Sequence, residues 1–157
     1  VILNTSGDAL VWDQDNVQSL TLQQSVIGEN LPMFGTEERS VNDTSYPSGT
    51  TADKLSPTTK ILPLDSANAT GTWALRGMLK TGNASHSATA GLVNLSDGSP
   101  ETELVTISST NTTGEIVTST AITFATAGAS KNYGVKLKSA NLATYVTAWG
   151  IELVRTA

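Results

Sequence analysis

The chain has no cysteine. Disulfide staples, thiolate catalysis and cysteine-based zinc sites are therefore excluded. A single histidine, His86, leaves one imidazole for any acid–base chemistry. Aromatic residues are few: three Trp, three Tyr and two Phe. Bases are scarce at the N-terminal end. Residues 1–53 hold eight acids and one base, Arg39, whereas residues 54–157 hold six acids and eight bases. A net charge of −5 gives no electrostatic footprint for nucleic acid. The acidic third is either solvated or docks on a basic partner. No apolar run approaches the ~18 residues of a membrane-spanning helix, and no basic-then-apolar leader is visible. No membrane role is expected.

What the chain has is hydroxyl. Roughly a quarter of its 157 residues are Ser or Thr. Thr is β-branched and suits pleated, half-exposed surfaces, so the bias points to β-structure with hydroxyl-covered outer faces. A chain of this length can bury a sizeable core without covalent staples.

The strongest pattern lies near the C-terminus. Tyr145, Thr147, Trp149, Ile151 and Leu153 alternate with Val146, Ala148, Gly150, Glu152 and Val154. Side chains on a strand change face at every residue, so the pattern predicts a half-buried strand with its odd positions in the core. Tyr133, Val135 and Leu137 repeat it, with Lys136 and Lys138 expected to point outward. Trp73, Leu75, Gly77 and Leu79 repeat it again. Further strands are expected over Ser87 to Leu95, Leu104 to Ile107 and Ile116 to Ala125. Turn chemistry separates them: Thr81-Gly82-Asn83, Ser96-Asp97-Gly98, Asn111-Thr112-Thr113-Gly114 and Ser139 to Leu142. About six strands at this spacing, with no long helical pattern, predict an all-β, antiparallel sandwich or barrel over residues 70–157.

Residues 1–69 are less regular. Val1 to Leu3, Ala9 to Trp12 and Lys60 to Leu64 read as short strands. Val17 to Ile27 is apolar on both faces, with Leu20, Leu22 and Val26 on one and Val17 and Ile27 on the other. Between Gly28 and Pro63, four prolines stand among Gly, Ser, Asn and Asp. Such a stretch is expected to be an extended arm or a set of loops, packed on the sandwich or on a partner.

Candidate chemistry is sparse. Asp13-Gln14-Asp15-Asn16 opens like a calcium loop, but Gln18 and Gln24 stand where such a loop needs Gly and a bidentate acid. Asp97-Gly98 with Glu101 and Glu103 clusters acids in what reads better as a hairpin turn. His86 has no nucleophile elbow near it in sequence and reads as a surface-loop residue. No catalytic residue, metal or cofactor is expected. Six Asn-x-Ser/Thr sequons, at Asn4, Asn42, Asn68, Asn83, Asn94 and Asn111, would matter only in a eukaryotic secreted protein. Trp73, Trp149, Tyr133 and Phe124 fall on expected core faces. Trp12 and Tyr46 lie in irregular polar stretches. They either stack on sugar rings or fill a partner's pocket, or else cover one end of the sandwich.

Four segments carry a resemblance. They are Gly71 to Arg76 (Gly-Thr-Trp-Ala-Leu-Arg), Ala90 to Gly98 (Ala-Gly-Leu-Val-Asn-Leu-Ser-Asp-Gly), Tyr133 to Lys138, and Ala148 to Leu153. Together they resemble a domain type that recurs in tailed-phage virion proteins: capsid decoration proteins, head fibres and tail fibres. The resemblance spans about 85 residues and implies a jelly-roll-like sandwich with an irregular N-terminal extension. It implies a non-enzymatic virion protein, most simply a capsid decoration protein on the outer head surface. Its partners would be the major capsid protein and itself, as a homotrimer. The alternative it leaves is a carbohydrate- or receptor-binding module of a fibre, with a glycan as partner. On this reading Trp12, Val17, Leu20, Leu22, Val26 and Tyr46 are the expected partner-binding residues.

Overall fold

Where large and small side chains alternate from Trp73 to Leu79 and from Tyr133 to Leu137, the backbone is extended. The computed structural model describes residues 3–5, 8–10, 30–33, 39–41, 60–97, 102–141 and 143–157. Among them there is no helix. Two short strands, β1 (Leu3–Thr5) and β2 (Asp8–Leu10), pair with each other. Three more short strands follow: β3 (Asn30–Pro32), β4 (Arg39–Val41) and β5 (Leu62–Leu64). The six expected strands of the C-terminal region are all present. They are β6 (Trp73–Thr81), β7 (Ala88–Asn94), β8 (Thr102–Ser109), β9 (Glu115–Thr118), β10 (Lys131–Ser139) and β11 (Val146–Arg155).

Two antiparallel sheets pack face to face as a β-sandwich. One has the order β5-β10-β7-β8 and the other β3-β11-β6-β9. β4 pairs with β11 on the edge that β3 also occupies. From β5 onward the chain changes sheet at every step except the β7–β8 hairpin. Inward residues of both sheets meet in one core. Leu75, Leu79, Ala148 and Ile151 come from one side, and Ala90, Leu92, Ile107, Val135 and Leu137 from the other. Each fully buried Leu, Ile or Val among them contributes about 1.5–3 kcal/mol relative to exposure.

Aromatic residues close one end of this core. Phe124 meets Trp73 edge-on, with ring centroids 6.4 Å apart, and Tyr133 at 5.1 Å. Such edge-to-face pairs add about 0.5–1.5 kcal/mol each beyond burial. The Trp73 indole N–H donates to the Thr70 carbonyl at 3.1 Å, so the buried ring leaves no polar atom unpaired. Burial raises the Tyr133 phenol above its usual pKa, and the nearby Asp97 charge adds to the effect.

Three sequence expectations are corrected. The first concerns β11, whose alternation is not continuous. Val146 and Ala148 are buried before the bulge and Ile151 and Leu153 after it, so the core face changes from even to odd positions. Between Trp149 and Glu152 the register to β6 slips, and two residues of β11 face Gly77 alone. Gly150 sits there with φ +60, the left-handed conformation that a bulge of this type demands. Trp149 and Tyr145, expected in the core, therefore lie on the outside.

Lys136 is the second correction. Its neighbours Val135 and Leu137 are in the core, so its parity is outward as expected. Yet it is 0% exposed. Gly91 stands opposite it on β7, and Gly134 precedes it by two positions. Val93, outward on β7 by the same parity, is also fully buried, so this outer face is covered rather than solvated.

The third correction is the strand expected from Ile116 to Ala125, which stops at Thr118. Ser119 ends it: its hydroxyl accepts the Leu75 N–H at 2.9 Å in place of a ladder carbonyl. The chain rejoins the sheet only at Ile122, through a bridge to Trp73.

The Asn-rich turns have a simple cause. Asn83, Asn94, Asn111 and Asn141 each accept, through Oδ1, the N–H two residues on, at Ser85, Ser96, Thr113 and Ala143. These are Asx turns, in which a side chain mimics the backbone. In three of the four the residue two on is Ser or Thr, which is how sequon spacing arises at Asn83, Asn94 and Asn111.

Candidate binding surface

The bulge at Gly150 decides what the outer face of the β3-β11-β6-β9 sheet displays. Before it, Thr147 and Trp149 take the outward parity on β11, where Thr147 is buried and Trp149 half-buried. Tyr145, one residue ahead of the strand, continues that parity, and its carbonyl accepts the Gly82 N–H at 3.0 Å, which extends the ladder. Tyr145 is 59% exposed and Trp149 is half-buried.

Across the sheet the outward residues form rows set by the register. Trp149 is paired with Met78, and Met78 with Ile116, which is 58% exposed. The indole reaches past Met78 toward β9. A Cβ on Gly114 would stand 3.1 Å from Trp149 Cη2 and 3.4 Å from Met78 Sδ. Glycine at 114 thus lets the ring lie across the sheet. One row away, Thr147 is paired with Lys80, and Tyr145 stands beside Gly82. On the other side, Glu152 is paired with Arg76. Its carboxylate takes the Asn30 amide at 2.7 Å and lies 4.0 Å from Arg76 Nε. Lys80 makes no ion pair with any described residue. The face therefore alternates: an aromatic, a cation, an aromatic with Met78 and Ile116, then a neutralised ion pair.

The other polar clusters hold turns together. Asp65 accepts N–H bonds from Ala67 at 2.9 Å, Asn68 at 3.1 Å and Gly128 at 3.0 Å, which ties two loops at one end of the sandwich. The bonds from Ala67 and Asn68 are the main cause of its lowered pKa. Asp97 receives Lys131 Nζ and Asn94 Nδ2, both at 2.7 Å, and its pKa is lowered chiefly by Lys131. The acid expected to crowd the hairpin is thus already paired with a cation. Among the described residues no group of three or more His, Asp or Glu could hold a metal. His86 Nδ1 contacts Thr144 Oγ1 at 2.8 Å, but Thr144 is buried and no described carboxylate orients the ring. No helix of the described residues is long and apolar enough to cross a membrane.

The partner-binding residues expected from sequence, Trp12, Val17, Leu20, Leu22, Val26 and Tyr46, lie outside the described residues. The residues that do gather on an open face, Tyr145 and Trp149, are ones the alternation assigns to the core. The signal that would have found them is Gly150, because glycine inside a strand pattern marks a bulge.

No family model matches this chain, and no curated protein or solved structure is measurably similar to it.

Proposed function

We propose that the chain is a non-enzymatic structural protein of a virion, a capsid decoration protein that binds the outer face of the major capsid protein as a homotrimer. The observation that carries this reading is the strand order. Sheets ordered β3-β11-β6-β9 and β5-β10-β7-β8, with sheet changes at every step but one, suit a jelly roll. That architecture is used by viral capsid and lectin domains. It agrees with the resemblance carried by the segments around Trp73, Asn94, Tyr133 and Trp149.

A decoration protein works by binding energy, clamping neighbouring capsid subunits. The sandwich offers surfaces for this. Among the described residues nothing pairs with the outer edges of β8 and β9. Between Val105 and Ser109, β8 carries no charge and no proline, the usual guards of a free edge. A neighbouring chain can add a strand there.

The test is cosedimentation of the purified chain with expanded phage heads, with light scattering of the free chain. Saturable binding by a trimer supports the reading. A monomer that leaves every head preparation in the supernatant refutes it.

A further inference from the structure

The outward face of the β3-β11-β6-β9 sheet carries an arrangement that the decoration role does not require. We propose that it is a saccharide-binding surface, in which Tyr145 and Trp149 each stack on a sugar ring and Lys80, with the Arg76–Glu152 pair, hydrogen-bonds the hydroxyls. The inference rests on the side chains of this face and is independent of whether the chain sits on a capsid.

Three features of the face argue for a sugar. Tyr145 and Trp149 are four residues apart on one strand face, about 13 Å at ~3.3 Å per residue. That spacing places the two rings under separate units of one extended oligosaccharide. Aromatic rings with a polar tip also suit a ligand that is apolar on its ring face and polar at its rim. Second, the positions beside the rings are bare. Gly82 adjoins Tyr145, and Gly114 adjoins the far edge of the indole. Neither glycine sets a side chain of its own beside these rings.

The third feature is the row between the aromatics. Lys80 lies there over Thr147, which is buried, and Lys80 has no ion-pair partner among the described residues. Beyond Trp149 stands Glu152, held by Asn30 and Arg76, which fixes an acceptor and a donor at the other rim. Apolar and hydrogen-bonding rows thus alternate along the face, as stacking and hydroxyl recognition both require.

The same alternation disfavours a protein partner. A protein hot spot is a contiguous dry patch ringed by polar groups. Here a cation interrupts the apolar surface between its two aromatics. Nucleic acid is disfavoured too, because one unpaired lysine on a chain of net charge −5 supplies little phosphate attraction.

The experiment uses the full chain on an array of short oligomers of glucose, mannose, galactose, N-acetylglucosamine and galacturonic acid. Hits are followed by calorimetric titration. Binding is expected to at least one oligomer of two or more units, weakened about tenfold or more by Tyr145→Ala and by Trp149→Ala. Lys80→Met should weaken binding less, and most for the acidic oligomer. Tyr145 is exposed and lies outside the strand, so its variant keeps the test sound if Trp149→Ala fails to fold. Three outcomes overturn the proposal. One is no binding to any oligomer. Another is binding that both aromatic variants retain. The last is loss of capsid association in these variants without any glycan binding, which would make the face a protein contact.

Discussion

Ile151 packs its side chain over the bare backbone of Gly77: a Cβ at position 77 would collide with the Ile151 δ-methyl and stand 3.1 Å from its Cα. The two residues face each other across the bulge that turns β11 over. On one side of this contact the core takes even residues of β11, and on the other it takes odd ones. The exposure of Trp149 and the burial of Ile151 are therefore one structural fact.

Gly77→Ala tests that contact. The added methyl points into the core and should destabilise the sandwich by about 1–3 kcal/mol, the usual range for overpacking. Because the obstacle is the Ile151 side chain, Ile151→Val should relieve part of the cost. The double variant would then be more stable than the sum of the single effects predicts. Urea unfolding of the four proteins measures this. Strict additivity would mean that the two residues do not press on each other.

Gly150 makes a different demand. Nothing lies within 4 Å of a Cβ built there, so space is not the constraint, and the left-handed backbone is. Gly150→Ala should cost about 1–2 kcal/mol. Asn tolerates this conformation better than Ala, and a β-branched residue worse. Unfolding midpoints are thus expected in the order Gly, Asn, Ala, Val. An order that follows side-chain volume alone would point to crowding instead.

This bulge also marks where the sequence stops being legible. Regular alternation in Trp73 to Leu79 and in Tyr133 to Leu137 identifies β6, β10 and their core faces, because a period of two has one physical reading. In β11 the same rule, applied across Gly150, carries the correct odd face of Ile151 and Leu153 back onto Tyr145 and Trp149. A one-residue slip reverses every side chain, and so the two aromatics of the open face were hidden. Val146 and Ala148 were the contrary sign, both apolar at even positions. β3 and β4 are three residues long and show no period at all. The burial of Lys136 was out of reach for another reason: charge predicts exposure, and the cover over its sheet face leaves no mark in the strand's own alternation.

Asp65 should give the stability curve an acid limb. Backbone N–H groups of Ala67, Asn68 and Gly128 favour its ionised form and lower its pKa below the usual aspartate value of 3.8. A carboxyl with a depressed folded pKa stabilises fully above its ordinary value. That contribution is lost as pH falls through the lower, folded one. Asp65→Asn should therefore be less stable than the parent at neutral pH, and the gap should close as pH drops below 3.8. Urea midpoints taken at intervals down this range read the difference. A gap that stays constant with pH would show that the carboxylate charge does not hold the two loops.

The hairpin after β7 separates a buried amide from an exposed ion pair. Asn94 is buried, accepts the Ser96 N–H at 2.9 Å and donates to Asp97 at 2.7 Å. Ser96 in turn accepts the Asn132 N–H at 2.7 Å, so the turn braces the start of β10. Lys131 reaches the same Asp97, but its side chain is one-third exposed and the carboxylate half exposed. Water and salt screen such a pair, and holding a long lysine side chain costs entropy. Asn94→Ala should thus cost about 1–2 kcal/mol, independent of salt. Lys131→Ala should cost less, and its effect should shrink as ionic strength rises. Thermal unfolding of both variants at low and high salt decides between them. If Lys131→Ala proves the more damaging at high salt, the ion pair rather than the amide holds the hairpin.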